Sequence, residues 1–110
     1  FVRYSSYRNG TAPVGPPICE LKPRRVSGRH VLIVEDIIDT GETLHVLRNY
    51  LATLNPKTLR TVCLLDKPTR RRRHVPVEFV GFTIEDVFVA GYGLDQADQY
   101  RYLPYVLALR

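Results

Sequence analysis

Residues 35–43 carry acids, hydroxyls and a glycine at a spacing that suits the binding of a sugar phosphate. The adjacent acids Glu35 and Asp36 suit the two hydroxyls of a ribose, or a hard cation such as Mg²⁺ held through water. Gly41 follows in a turn between two threonines, directly before a predicted helix. Because the first amides of a helix lack partners and lie at the positive end of its dipole, this turn suits a phosphate monoester.

The same residues also have an explanation that needs no ligand. Asp39 as the N-cap, with Glu42 three residues later, would form a capping box that satisfies the first amides internally. The acid pair could lie on a solvated turn and accept hydrogen bonds from neighbouring amides. The order along the chain favours a ligand, since acids suited to sugar hydroxyls come directly before a loop suited to phosphate.

The elements around this stretch predict a βαβ unit. The apolar run over residues 30–34 is typical of a parallel strand that is buried on both faces. A helix is predicted next, because leucines recur at helical spacing and Asn55-Pro56 is a stop signal. The leucines are Leu44, Leu47, Leu51 and Leu54. A second apolar run over residues 59–65 predicts the next strand, joined by a right-handed crossover.

The position of the polar residues relative to these strands predicts a site. Ligands of open α/β sheets bind beyond the carboxyl ends of the strands. Residues 35–43 follow the first predicted strand and Asp66-Lys67 follows the second, so both lie at the same edge. Further strands are predicted over residues 18–21, 75–84, 87–90 and 105–109, whereas turn formers fill residues 5–17.

Composition excludes several classes of protein. The 110 residues fit one domain, and 45% hydrophobic with 25% charged residues is typical of a globular protein. No apolar run approaches the ~20 residues that cross a bilayer. Two cysteines, Cys19 and Cys63, indicate neither a disulfide framework nor a metal cage, which favours a reducing compartment. The net charge of +5 and the pI of about 9.5 favour an anionic partner, either nucleic acid or a phosphorylated ligand.

Residues 31–41, Val-Leu-Ile-Val-Glu-Asp-Ile-Ile-Asp-Thr-Gly, resemble the phosphoribosyl diphosphate (PRPP) binding motif of type I phosphoribosyltransferases. The likeness to the bacterial hypoxanthine–guanine branch covers essentially the whole chain. It includes Ser5-Ser6-Tyr7, Leu64-Leu65-Asp66-Lys67-Pro68, the stretch from Phe88 to Asp95 and the stretch from Tyr100 to Tyr105. It implies a single α/β domain with an open, mostly parallel, Rossmann-like sheet.

The resemblance also implies how that domain is divided. Residues 1–17 would be a mobile lid loop, residues 30–66 the PRPP-binding βαβ core, and residues 67–104 the purine pocket and hood. Ser6 and Tyr7 would belong to the lid, which excludes water from an oxocarbenium-like transition state.

For residues 35–43 the resemblance implies specific roles. Glu35 and Asp36 would face the ribose hydroxyls and Mg²⁺, and Asp39 would be the general base near the ring nitrogen that is ribosylated. The 5-phosphate would be held by the loop formed by Asp39, Thr40, Gly41, Glu42 and Thr43. Glu42 departs from the family pattern, where a neutral or basic residue is usual, and it leaves the amides available only if it points outward.

Later residues match the purine and pyrophosphate contacts of the family. Lys67 would donate to the 6-oxo oxygen of the purine, Phe88 would stack on the base and the Val89 backbone would bind its edge. Asp95 would lie by the purine pocket and a second metal, and Arg101 would contact pyrophosphate. Without the resemblance, Lys67 would be a snorkelling surface residue, Phe88 a core aromatic, and the other two ordinary surface charges.

Two further features of the sequence have open interpretations. The four arginines at residues 70–73 are interpreted first as a solvated turn, with attraction for an anionic substrate or RNA as the alternative. The chain opens at Phe1 as if within an element, and it lacks the family's N-terminal pyrophosphate-binding loop and further strands. We therefore expect a C-terminal portion whose sheet is incomplete at the N-terminus and which is inactive by itself.

The implied reaction joins hypoxanthine or guanine to PRPP, giving IMP or GMP and pyrophosphate. It implies Mg²⁺ as cofactor and a cytoplasmic homodimer or homotetramer, with no membrane or nucleic-acid partner. One alternative is a regulator that senses PRPP or nucleotides and binds nucleic acid, and another is a transferase for a different base such as xanthine or a pyrimidine. Asp39, Lys67 and Asp95 together argue against the regulator, and Lys67 with Phe88-Val89 favours a 6-oxopurine.

Overall fold

A βαβ unit forms the centre of the fold in the computed structural model, which describes residues 26–94 and 101–109. Strand β1 spans His30–Ile38, helix α1 spans Glu42–Ala52 and strand β2 spans Thr58–Asp66. The two strands are parallel, in a register that pairs His30 with Thr58 and Ile38 with Asp66. The βαβ unit predicted from the apolar runs and the leucine spacing is therefore confirmed.

Strand β1 is longer than its apolar run predicted. It continues past Val34 through the acid pair to Ile38, so Glu35 and Asp36 are strand residues and do not lie in the following turn. Pairing with β2 extends the strand, since Glu35 lies opposite Cys63 and further pairs follow. The cross-strand hydrogen bonds outweigh the weak strand propensity of acidic residues.

Helix α1 covers one face of the sheet. Its core leucines are each 3% exposed and share a cluster with Ile33 and Cys63 of the two strands. On the other face of β1, Leu32 and Val34 are 55% and 69% exposed. Within the described part of the chain, β1 is thus buried on one face. For the described residues the prediction of burial on both faces was wrong, because α1 lies against only one face of β1.

The start of α1 differs from the predicted capping box. The N-cap is Gly41, in the left-handed conformation with φ of 82°, and no side chain caps the helix. Asp39 as N-cap was therefore wrong, because the chain turns at the glycine instead. At the other end the Thr53 hydroxyl donates to the Tyr50 carbonyl, and Asn55 has a positive φ before Pro56. The predicted stop at Asn55-Pro56 agrees with this end of the helix.

The remaining strands complete an open, mostly parallel architecture. After β2, the short 3₁₀-helix Pro68–Arg70 leads towards strand β3, Phe79–Thr83, which pairs in parallel with β2 to give the order β1-β2-β3. Strands β4, Phe88–Ala90, and β5, Leu107–Leu109, form a separate antiparallel pair. We call this pair and its connecting turn, residues 88–94 and 101–109, the hood.

Several predicted features lie outside the described residues. They are the lid loop over residues 1–17 with Ser6 and Tyr7, the strand over residues 18–21, Cys19 and Asp95. Among residues 26–94 and 101–109, no helix has the length and apolar character required to span a membrane.

Candidate active site

The carboxyl ends of β1 and β2 lie side by side, because the parallel register places Ile38 opposite Asp66. The pairing extends by one more hydrogen bond, in which the Lys67 amide donates to the Ile38 carbonyl at 3.0 Å. Residues 39–43 and Lys67 therefore leave the sheet at the same side, formed by the carboxyl ends of the strands. We call this side the sheet edge. This is the juxtaposition expected from the strand order along the sequence.

Backbone contacts fix the segment 39–43, which we call the anion loop. The Thr40 carbonyl accepts from the amides of Arg72 and Arg73 at 2.8 and 3.3 Å. Gly41 is buried, and a Cβ built there would lie 3.0 Å from the Arg73 carbonyl oxygen and 3.1 Å from a methyl of Val75. Glycine is thus required at this position both by its positive φ and by the space around it.

The first amides of α1 remain available to an anion. The Glu42 side chain is exposed, and its amide has only a long contact of 3.4 Å with the Thr40 hydroxyl. Within residues 26–94 and 101–109, no acceptor contacts the amides of Thr43 and Leu44. Glu42 therefore does not seal the helix N-terminus, which leaves room for a phosphate at the positive end of the dipole.

The two adjacent acids of β1 have different surroundings. Alternation along the strand places Glu35 on the face of Ile33, towards α1, and Asp36 on the opposite face. Burial raises the pKa of Glu35 to about 7, and the negative charge of Asp36 adds to the effect. Asp36 is exposed, and its carboxylate accepts from the Ile37 amide at 2.7 Å.

A hard cation at the acid pair would have to take most of its ligands from elsewhere. No group of three or more His, Cys, Asp or Glu side chains in the described ranges is arranged to enclose a metal. Mg²⁺ keeps several waters and is commonly bound by one or two carboxylates together with substrate oxygens. Asp36 is exposed and offers a carboxylate of that kind, whereas Glu35 points to the opposite face of β1.

Two arginines of the run 70–73 contact this edge. The Arg70 Nε donates to the Asp39 carboxylate at 2.9 Å and lies 3.7 Å from the Asp86 carboxylate. The Arg71 guanidinium pairs with the Asp66 carboxylate and donates to the Asp39 carbonyl at 2.8 Å. The interpretation of a solvated turn was therefore wrong for Arg71, which is half-buried because the short 3₁₀-helix turns the chain back onto the anion loop. Arg70 is exposed, as that interpretation expects, although it pairs with Asp39.

Lys67 and Phe88 come together although 20 other residues separate them in the sequence. The Lys67 side chain is buried, at 6% exposure, and its ammonium lies 5.7 Å from the centre of the Phe88 ring. That distance permits a cation–π interaction. Phe88 is 67% exposed, so it is not a core aromatic and its ring is accessible for stacking. Neither residue fits its structural alternative.

The other predicted purine and pyrophosphate residues among those described, Val89 and Arg101, lie in the hood. Val89 pairs with Ala108 within the hood, and Arg101 lies on the exposed turn, where its carbonyl accepts from the Gly93 amide at 3.0 Å. A cavity of about 700 Å³ lies behind the hood, with Val89 among its mostly apolar lining residues. Neither Lys67 nor Phe88 lines this cavity. The side chains expected to contact the purine therefore lie at the sheet edge.

Arg70 and Arg71 are the site residues that sequence reasoning missed. The available signal was their spacing, three and four residues after Lys67, within a basic run that follows a strand end. The direction in which each side chain points depends on the 3₁₀ turn, and that turn is not encoded in a recognisable local pattern.

Comparisons with known proteins agree with this geometry. Residues 1–97 match the family model described as the phosphoribosyl transferase domain. The hypoxanthine phosphoribosyltransferase of Escherichia coli strain K12 is 49% identical over 107 residues, which cover 96% of this chain and 60% of that protein. The chain thus spans about 60% of the length of this curated relative.

Two solved structures of similar proteins contain a nucleotide. The hypoxanthine phosphoribosyltransferase of Trypanosoma cruzi in complex with the product IMP has a TM-score of 0.74 and 47% identity, covering 77% of this chain and 46% of that one. The corresponding enzyme of Leishmania tarentolae in complex with GMP has a TM-score of 0.77 and 41% identity, covering 80% and 52%. With the motif of residues 31–41 at the edge of a parallel sheet, these findings show that the chain belongs to the phosphoribosyltransferase family.

Proposed function

We propose that the protein transfers the 5-phosphoribosyl group of PRPP to hypoxanthine or guanine, forming IMP or GMP and releasing pyrophosphate. The observation that carries this proposal is the meeting of the anion loop with the Lys67–Phe88 pair at one edge of the sheet. The relatives support it, since one is named hypoxanthine phosphoribosyltransferase and two structures contain IMP or GMP.

The anion loop would hold the 5-phosphate. Its amides at the start of α1 are not sealed by Glu42, and the hydroxyls of Thr40 and Thr43 supply further donors. The positive end of the helix dipole favours the phosphate charge. Asp39 is the first residue of the same loop. Anchoring the 5-phosphate on the loop therefore also fixes the distance between the anomeric carbon and the Asp39 carboxylate.

Glu35 and Asp36 would accept hydrogen bonds from the ribose hydroxyls. They are also the residues that would hold Mg²⁺, together with Asp95, which lies outside the described residues. When bound, the cation neutralises negative charge on the leaving pyrophosphate. Arg101 would contribute a positive charge to the same pyrophosphate, and Ser6 and Tyr7 would exclude water.

The Lys67–Phe88 pair, with Val89, would select the base. Phe88 stacks on the ring, and the buried Lys67 ammonium donates to the 6-oxo oxygen. An ammonium has three donors and no acceptor, so the 6-amino group of adenine would face it donor against donor. Such unpaired donors discriminate strongly in a buried site.

Asp39 would act as the general base. In the transfer step the bond from the anomeric carbon to pyrophosphate breaks, the bond to the purine nitrogen forms, and the proton of that nitrogen passes to the Asp39 carboxylate. The Arg70 Nε donates to this carboxylate at 2.9 Å, which fixes the orientation of the carboxyl group.

A substrate panel tests the proposal. The full-length protein is incubated with PRPP, Mg²⁺ and, in separate reactions, hypoxanthine, guanine, xanthine, adenine or uracil, and the nucleotides are separated by chromatography. We expect IMP and GMP and little AMP or UMP. A preference for xanthine or uracil would replace the proposed base, and no nucleotide from any base would refute a transferase.

One observation speaks against the nucleic-acid-binding regulator. That alternative rests on the net charge and the basic run 70–73, yet Arg70 and Arg71 are both paired with carboxylates of this chain. Filter binding with RNA at increasing salt concentrations tests it directly, because phosphate contacts are lost steeply as salt rises. We expect no salt-dependent retention.

A further inference from the structure

Arg71 contacts both strand ends at the candidate site. Its Nη2 donates to the Asp66 carboxylate at the end of β2. Its Nη1 donates to the carbonyl of Asp39 at 2.8 Å and makes longer contacts with the carbonyls of Ile38 at 3.4 Å and Lys67 at 3.5 Å. One side chain therefore touches the backbone of both residues proposed to act on the purine.

The arrangement is largely shielded from water. The side chains of Arg71 and Asp66 are 20% and 13% exposed, whereas those of Arg70 and Asp39 are 41% and 44% exposed. A planar guanidinium presents its donors in a fixed fork, so it sets the relative positions of the groups that it contacts. Lysine has a compact charge on a flexible stem and lacks that fork.

We propose that Arg71 is a positioning residue that sets the distance between the Asp39 carboxylate and the Lys67 ammonium. This role rests on the proposed function, in which Asp39 acts at a ring nitrogen and Lys67 at the 6-oxo oxygen of the same purine. Because both groups must fit one rigid ring, loosening their spacing lowers turnover and base selectivity together. Arg71 contacts the two backbones and not the substrate, so it acts through Asp39 and Lys67.

The Arg71→Lys variant of the full-length protein tests this role. It keeps the positive charge beside Asp66 but loses the fork. We expect kcat/KM for hypoxanthine to fall by about 100-fold, the usual consequence of a displacement near 1 Å in a catalytic group. The ratio of kcat/KM for hypoxanthine to that for adenine falls as well, while KM for PRPP changes less, since Arg71 donates to the anion loop only at its first residue, Asp39.

Arg72→Ala is the matched control. Arg72 is exposed and contributes only its backbone amide to the anion loop, so this variant should keep wild-type kinetics and selectivity. Asp66→Asn provides an independent route, because it weakens the hold on Arg71 and should shift selectivity in the same direction. The double variant should lose less than the sum of the two single losses, as residues in one network do.

The outcomes separate a positioning role from a purely structural one. A lower Tm with unchanged kcat/KM and unchanged base selectivity in Arg71→Lys would overturn the inference. An active wild-type protein with an unaffected Arg71→Lys variant overturns this role alone. A wild-type protein that makes neither IMP nor GMP overturns the proposed function and this role with it.

Discussion

The sheet edge and the hood are built in different ways. At the edge, backbone–backbone hydrogen bonds hold the anion loop and Lys67, and the half-buried Arg71 side chain adds hydrogen bonds to backbone carbonyls. The hood is a two-stranded sheet with exposed aromatics, among them Phe88 at 67% and Tyr105 at 55%. The end proposed for phosphate binding and proton transfer therefore depends on a fixed backbone, whereas the end proposed for stacking depends on accessible side-chain surface.

Removing the proposed base should have the largest effect at the edge. Asp39→Asn keeps the size of the side chain but removes its basicity, so we expect turnover to fall by about 10²- to 10⁴-fold, the usual contribution of a general base. KM for PRPP should change much less. Steady-state kinetics of the full-length protein with hypoxanthine measure both.

Asp86→Asn is the control for this variant. Asp86 also lies near Arg70, at 3.7 Å, but is not part of the anion loop. Its replacement removes a negative charge from the same arginine and should leave turnover unchanged. If the two variants lost turnover equally, Arg70 and not Asp39 would be the important group.

Adding a methyl group at Gly41 should have the second-largest effect on the activity of the sheet edge. Gly41→Ala imposes a positive φ on alanine and brings its Cβ within 3.0 Å of the Arg73 carbonyl oxygen, so the anion loop must move. We expect kcat/KM for PRPP to fall by about 100-fold, because a displacement near 1 Å has such an effect. Titration of PRPP in the steady-state assay measures it.

Gly28→Ala separates backbone strain from crowding. Gly28 has a similar φ of 73°, but a Cβ there meets nothing within 4 Å. This variant should lose about 1–2 kcal/mol of stability from the left-handed conformation and keep its affinity for PRPP. An equal loss of PRPP affinity in both variants would contradict the importance of the space around Gly41.

Replacing Lys67 tests the junction between edge and hood. Lys67→Met retains the apolar stem but removes the ammonium that lies 5.7 Å from the Phe88 ring. We expect KM for hypoxanthine to rise by about 10-fold or more, because one charge-assisted hydrogen bond contributes ~1.5–3 kcal/mol. The rejection of adenine should weaken at the same time.

The exposed Lys57→Met serves as the control, since Lys57 lies at the opposite end of the sheet, before β2. It should leave both KM and base selectivity at wild-type values. Full rejection of adenine by Lys67→Met would show that the purine pocket lies elsewhere.

The smallest expected effect is on stability and comes from Glu35. Its pKa in the folded protein is about 7, raised from 4.5 by burial and by Asp36, so the folded state favours the protonated form. This stabilisation is fully present below pH 4.5 and is lost as the pH rises through 7. Glu35→Gln should therefore flatten the fall in the free energy of unfolding over this window.

Urea unfolding of the metal-free protein at about pH 5 and about pH 8 measures the difference. In Asp36→Asn the free energy of unfolding should still fall between these pH values, but less than in the wild type. Part of the fall remains because burial is the larger cause of the raised Glu35 pKa. A wild-type protein whose stability rises steadily over the same range would contradict a buried Glu35.

Much of the edge was predictable from the sequence, since the strand, the leucine spacing and the strand order place residues 35–43 beside Lys67. The extension of β1 through Glu35 and Asp36 was not, because cross-strand pairing overrides their local preference. The Asp39–Glu42 spacing matches a capping box as well as it matches an anion loop, and only the left-handed Gly41 distinguishes the two. The partners of Arg70 and Arg71 depend on the path of the chain after β2, which has no local signature.

The parallel register between β1 and β2 determines which segments of the chain tolerate insertions and deletions. Residues 53–57 connect α1 to β2 at the end of the sheet opposite the site, so extra residues there do not shift the register of the strands that carry the site. Deleting one residue inside β2 instead shifts every later side chain by one position, which turns the lysine at its end towards the other face. Length variation among natural and engineered variants should accordingly be concentrated at the far end of the sheet.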